Sequence, residues 1–141
     1  MRLIYQTPPL TQPVRISGTP TISLQLAFSK SRANLTAALV SYPPTGNGTI
    51  LTRGWIDPTN RNSDWADVPI KPGRMYGIDF DMQPKDTVVP AGNRLAVMVV
   101  SSDRDFTIRP PAGTRLTLDL AHSSLVIPVV GGPKALADAL R

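Results

Sequence analysis

Residues 69–103 read PIKPGRMYGIDFDMQPKDTVVPAGNRLAVMVVSSD and hold two alternating apolar runs, each preceded by a turn signal. Lys71-Pro72-Gly73 stands before Tyr76, Ile78, Phe80 and Met82, and Pro90-Ala91-Gly92 stands before Leu95, Val97 and Val99. Apolar side chains at every second position define a half-buried antiparallel strand, because successive side chains point to opposite faces. Nothing in the stretch is equipped to make or break a bond. It describes a scaffold.

The pattern continues outward in both directions. Short strands are predicted at Leu3-Ile4-Tyr5 and at Val14 to Ser17, the latter ending at Gly18-Thr19-Pro20. Ile22, Leu24, Leu26 and Phe28 then share one face, with Thr21, Ser23, Gln25 and Ser29 on the other. Ala33 to Tyr42 is more evenly apolar, with Leu35, Leu39 and Val40 among others, as expected of a central strand covered on both sides, and Pro43-Pro44 stops it because proline cannot donate to a ladder. Gly46-Asn47-Gly48 reads as a hairpin turn into a strand from Ile50 to Ile56. Asp57 to Asp67 shows no period and is read as loop. Residues 101–113 are also loop, with a short strand at Phe106 to Arg109. Leu116, Leu118 and Leu120 form one further strand, and Leu125, Ile127 and Val129 the last. Eight or nine strands with almost no helix predict an all-β fold, two packed antiparallel sheets in a sandwich or jelly roll. An open barrel is the alternative. Residues 1–131 make up this domain, and 132–141 a short helical or disordered tail whose KALADALR run favours helix.

A length of 141 residues suffices for one domain with its own core. The composition, 41% hydrophobic and 18% charged, is that of a globular chain. Fifteen prolines and ten glycines punctuate it in place of clustering. With no cysteine, disulfides, thiol catalysis and zinc-thiolate sites are excluded, while the compartment, cytoplasmic or secreted in a bacterium, stays open. No apolar run approaches the roughly 20 residues of a membrane helix, and MRLIYQTPPL lacks the apolar core of a signal peptide; the natural chain is expected to begin upstream of Met1. The net charge of +5 is carried by scattered residues such as Arg15, Arg32, Arg53, Arg74, Arg94, Arg109 and Arg115. Without a basic run interleaved with aromatics, neither nucleic acid nor a membrane is an expected partner.

Candidate chemistry is sparse. No serine lies in a Gly-x-Ser-x-Gly elbow. The single histidine, His122, could serve Ser123 or the better-oriented Ser124 as a base, but it reads as a turn histidine satisfied by backbone groups. Asn60, Asn62 and Asp64 alternate as in calcium loops, yet Trp65 and Lys71 stand where a glycine and a bidentate glutamate would be needed; the reading is a turn-rich loop, with no metal or other cofactor. Asp79 and Asp81 share a strand face as a solvated pair. Asn34-Leu35-Thr36 and Asn47-Gly48-Thr49 match the glycosylation sequon, a weak three-residue signal. The aromatics say more. Trp55 ends a strand and Trp65 lies in the polar loop beside Asp57, so Trp55, Asp57 and Trp65 are the candidate contacts for a ligand or a domain interface.

Taken in order, GTPTISLQLAFS, RGWID, PIKPG-R-x-Y-x-I-x-F, VPAGNRLAVMVVSSD and HSSLVIPVV resemble the C-terminal domain of the X-prolyl dipeptidyl-peptidase and cocaine-esterase-like serine hydrolases. The resemblance runs from about Arg2 to Gly131 and leaves out the Ala/Leu-rich tail. It implies a jelly-roll sandwich of the galactose-binding type, joined in the same natural chain to an α/β-hydrolase domain that carries the catalytic triad. No triad residue carries over onto this sequence, so this chain alone is expected to be inactive. The implied role is a non-catalytic module that packs on the hydrolase domain, helps shape its substrate pocket and contributes to homo-oligomer contacts. The parent would release X-Pro dipeptides or hydrolyse small acyl esters. A carbohydrate-binding module using Trp55, Trp65 and the Asp57–Asp67 loop is the alternative.

Overall fold

The computed structural model describes residues 2–108 and 112–141. Its strands are β1 (Arg2–Gln6), β2 (Val14–Gly18), β3 (Thr21–Phe28), β4 (Leu35–Tyr42), β5 (Thr49–Ile56), β6 (Met75–Asp81), β7 (Lys85–Val89), β8 (Arg94–Val100) and β9 (Leu116–Val126), followed by helix α1 (Gly132–Ala139). A four-stranded sheet in the order β1-β8-β4-β5 faces a three-stranded sheet in the order β6-β3-β9, and β2 and β7 form a separate ribbon. Every strand pair is antiparallel. The chain is an all-β sandwich.

The alternating runs build the core. Ile22, Leu24, Leu26 and Phe28 of β3 are buried against Leu35, Ala37 and Leu39 of β4 and Leu95 and Val99 of β8, and Val14, Ile16 and Val89 of the ribbon join the same cluster. Burying a side chain of this size contributes about 1.5–3 kcal/mol. As its even apolarity requires, β4 is central, lying between β8 and β5 and buried from Leu35 to Ser41. Its other face, Ala38 and Val40, forms a second small cluster with Ala96, against which Ile4, Tyr42 and Met98 pack. The turn after Pro90 is held by two hydrogen bonds, from Gly92 N to the Leu10 carbonyl (2.7 Å) and from Leu10 N to that of Asn93 (2.8 Å). Gly92 adopts φ +85°, which only glycine takes without strain.

One strand lies where no alternation marks it, and two expectations need correction. The Lys85–Val89 segment, which has no apolar period between its flanking prolines, is the strand β7; it forms because β2 offers it a register, Val14 opposite Val89. The runs Leu116–Leu120 and Leu125–Val129 are not separate strands. They belong to one strand, β9, interrupted by a bulge: between the pairs Ser23–Ser124 and Gln25–Asp119, β3 has one residue and β9 has four. Beyond Val126 only Val129 bridges, to Ile16. Finally, Phe106 lies in a turn and 106–108 is not strand, while Arg109 falls outside the described residues.

Residues 132–139 form a helix that closes the sandwich edge. Gly131 caps it in a left-handed conformation (φ +91°) and Pro133 occupies its first turn. Ala139 is fully buried, Leu136 and Leu140 pack on the core, and Thr11 N donates to the Ala139 carbonyl at 2.8 Å.

Gly54 of β5 marks a close approach between layers. A Cβ there would lie 2.3 Å from the Asp81 carbonyl oxygen and 3.0 Å from Met82 Cα, both backbone atoms. Gly54→Ala is therefore expected to cost about 1–3 kcal/mol, read as a lower urea midpoint. An unchanged midpoint would mean that the layers can separate there freely.

Candidate functional site

One end of the four-stranded sheet brings aromatic, cationic and acidic side chains together. β4 begins there while β5 and β8 end, and the register sets Arg2 opposite Val100, Val100 opposite Thr36, and Thr36 opposite Trp55. These four side chains cross the outer face as one row. Thr36 is 2% exposed, and its Oγ1 is buried with no hydrogen-bond partner among the described residues.

The segment after β8 folds back onto this row. The Asp103 carbonyl accepts from Phe106 N (3.1 Å), Thr107 N (2.9 Å) and Thr107 Oγ1 (2.8 Å), which curls the loop tightly. Its carboxylate then accepts from Trp55 Nε1 at 3.3 Å and lies 3.5 Å from Arg53 Nη1. The Phe106 ring sits 5.6 Å from that of Trp55, tilted by 38°, and the Arg53 guanidinium stacks 4.6 Å from the Phe106 centroid. Asn34 Nδ2 donates to the Ile108 carbonyl and Lys30 Nζ to that of Ala112, tying the β3–β4 connection to the same segment. Between loop and sheet remains a notch of about 210 Å³ lined by Arg2, Thr36, Ala38, Arg53, Met98 and Asp103, among others.

The three residues singled out from sequence diverge. Trp55 is engaged by Phe106 and Asp103. Asp57 caps the 3-10 turn Pro58–Asn60, its Oδ1 accepting from Thr59 N (2.9 Å) and Thr59 Oγ1 (2.8 Å). Trp65 is 96% exposed, and no ring contact joins it to Trp55 among the described residues. The polar groups of its loop are turned on one another: Asn60 Nδ2 donates to Asp67 Oδ1 at 3.0 Å, and Arg61 Nη1 donates to the Pro58 and Val68 carbonyls while its guanidinium lies over Tyr76. Arg53, Asp103 and Phe106 were not singled out, since only the tertiary fold brings 103–106 beside 53–55.

His122 stands in the β9 bulge, exposed, with Nδ1 2.8 Å from Asp119 Oδ2. Its partner is thus a carboxylate, where backbone groups were expected. The hydrogen bond from His122 holds the Asp119 carboxyl below its ordinary range. Ser123 Oγ donates to the Asp119 carbonyl (2.6 Å) and accepts from Gln25 N (3.0 Å), and Ser124 faces Ser23 across the ladder. Among the described residues no serine is hydrogen-bonded to the imidazole, and the Asp-His pair lies within the bulge. Asp79 and Asp81 line a shallow polar depression with Ser23 and Ser124 on the outer face of the three-stranded sheet.

The fold is an antiparallel β-sandwich, and among the described residues its one imidazole is paired with a carboxylate in a bulge. The family described as the X-Pro dipeptidyl-peptidase C-terminal non-catalytic domain matches residues 1–137. This chain belongs to that family. A protein of Rhodopirellula baltica, provisionally named Xaa-Pro dipeptidyl-peptidase, is 48% identical over 93% of this chain and 22% of its own length. Cocaine esterase of a Rhodococcus strain is 32% identical over 72% of this chain and 18% of its own. Among solved structures, an α-amino acid ester hydrolase superposes with a TM-score of 0.78 at 21% identity, over 91% of this chain and 25% of that one. This likeness concerns the fold. The chain spans about a fifth of the length of the curated relatives it matches.

Two predictions follow from these geometries. In a Trp65→Phe background, Trp55 emission should shift to the red in Asp103→Ala, as the loop releases the indole to water; unchanged emission would mean that Asp103 does not hold it. Because Asp119 is depressed in the folded state, its pair contributes above the ordinary carboxylate pKa and is lost as pH falls through the folded-state value. The small gap in urea midpoint between wild type and Asp119→Asn should therefore be present at neutral pH and vanish once the pH has fallen through the folded-state value.

Proposed function

We propose that this chain is the C-terminal accessory module of a larger serine hydrolase of the Xaa-Pro dipeptidyl-peptidase type. In this reading the module packs on an α/β-hydrolase domain of the same polypeptide, helps wall its substrate pocket and performs no chemistry itself. The observation that carries it is the family match over residues 1–137 in a chain that spans only about a fifth of its relatives. The engagement of Asp119, His122 and Ser123 with one another within the bulge supports it from within the molecule. Trp65 serves as an interface contact, Trp55 as the anchor of the segment after β8, and Asp57 as a local cap.

The parent's substrate is then an N-terminal X-Pro dipeptide or a small acyl ester, chosen by residues outside this chain. The test compares the full-length polypeptide with this chain on an X-Pro-nitroanilide and on a short-chain ester. Turnover is expected from the full-length protein alone, and neither Ser124→Ala nor His122→Ala within it should abolish the activity. Turnover by this chain, lost on mutating Ser124, would overturn the reading.

A further inference from the structure

Four strands face three in this sandwich, and the mismatch falls on one side. On the other side the layers are joined. Gln83 N donates to the Arg53 carbonyl at 2.8 Å, Thr52 Oγ1 donates to that of Gln83 at 2.6 Å, and Gly54 packs against the Asp81 backbone. This seam seats β5 beside the end of β6. Moving away from it, β4 has β3 as its counterpart, β8 has β9, and β1 has none. Among the described residues no hydrogen bond joins β1 to β9.

The gap is an apolar groove of about 320 Å³ lined by Tyr5, Leu95, Val97, Leu125, Ile127 and Leu136, among others. Leu3, Val97, Leu125 and Ile127 pack on the core from this side and are only partly buried. The backbone of β9 is open along the same line. No strand pairs with its outer edge among the described residues. Met82 N donates to the Pro20 carbonyl and Val130 N to that of Arg15, so alternation turns the amides of Leu125 and Ile127 away from β3 and β2, toward the groove. The bulge between Asp119 and Ser124 divides this edge, and the groove lies on the Leu125 side of it. Free N–H and C=O groups beside uncovered apolar side chains make a template for one more strand.

We infer that the polypeptide preceding this domain in the full-length protein supplies that strand. An extended segment pairs with β9 at Leu125 and Ile127 and sends apolar side chains, at alternate positions, under β1 into the groove. The inference rests on the module reading above. The family is described as a C-terminal domain and the chain spans about a fifth of its relatives, which places their remaining length ahead of it. That length joins the domain at the start of β1, whose Tyr5 lines the groove. A segment tethered so near is held at high local concentration. A second copy of this chain fits less well. The inward side chains of its own β9, Leu118 and Leu125, already pack on its own core, so its edge could pair but not fill the groove.

Amide hydrogen exchange on the unmodified full-length polypeptide, resolved to single residues, tests the pairing. The Leu125 and Ile127 amides should exchange at least about tenfold slower than unpaired amides, the scale set by one hydrogen bond. A photoreactive benzophenone side chain in place of Tyr5 tests the occupant, and should crosslink within its own polypeptide to a peptide from the residues ahead of Met1. Unprotected exchange of both amides, in a full-length protein that turns over the X-Pro substrate or the ester, would overturn the added strand and leave the module reading standing. The same exchange in a folded full-length protein without turnover would overturn both. Thr7 N donates to the Leu95 carbonyl, so alternation turns the Ile4 and Gln6 amides to the free edge of β1. Protection confined to those two would overturn the choice of edge. A crosslink to a second copy, or only to residues of this domain, would overturn the choice of occupant.

Discussion

The rest of this molecule depends on burying β4 on both faces. Leu35, Ala37 and Leu39 fill the space between the sheets, and on the other side Ala38 and Val40 pack under Ile4, Tyr42 and Met98. A strand with one wet face would hold its register through the penalty for turning apolar groups to water. Here that discrimination is weak, and the register is set by other means. The bulge between Leu39 and Val40 offsets β5, and Gly48 leaves room for the Tyr42 ring where a Cβ would lie 2.5 Å from it. With β4 so placed, β8 and β5 are bound to either side, and their ends meet where Trp55 and the segment after β8 converge.

Asp103 organises that convergence. Its backbone carbonyl closes the turn through Phe106 and Thr107, and its side chain receives Trp55 and faces Arg53. A single residue thus joins the shape of a loop to the surface of a sheet. Hydrogen bonds to a carboxylate, partly withdrawn from water, are stronger than those between neutral groups. The consequence is a loop that holds an aromatic ring and cations over an apolar floor. By contrast, Asp119 and His122 make a similar charged contact that stays local to the β9 bulge, exposed to solvent and without effect on the surrounding surface.

Much of the fold was legible because it rests on local rules. The alternation in Ile22–Phe28 and Leu95–Val99 and the stops at Pro43-Pro44 act within a few residues, and they locate strands wherever the period is clean. Lys85–Val89 carries no period, and its strand exists only through pairing with β2. The β9 bulge was misread as a break between strands, because the residues looped out of the ladder interrupt the alternation without ending the pairing. The site was less legible. Trp55 and Trp65 drew attention as aromatics near polar loops, but Asp103, Phe106 and the buried hydroxyl of Thr36 carry no sequence mark.

By itself, then, the sequence determined a β-sandwich of one hydrolase-associated family, since side-chain period, turn residues and the order of its motifs are properties of neighbouring positions. Tertiary structure alone decided that β7 pairs with β2, that Asp103 meets Trp55 and Arg53, and that among the described residues the buried Thr36 hydroxyl has no hydrogen-bond partner. Those depend on strand order and register, which bring together residues dozens of positions apart. No local pattern along the chain contains that information.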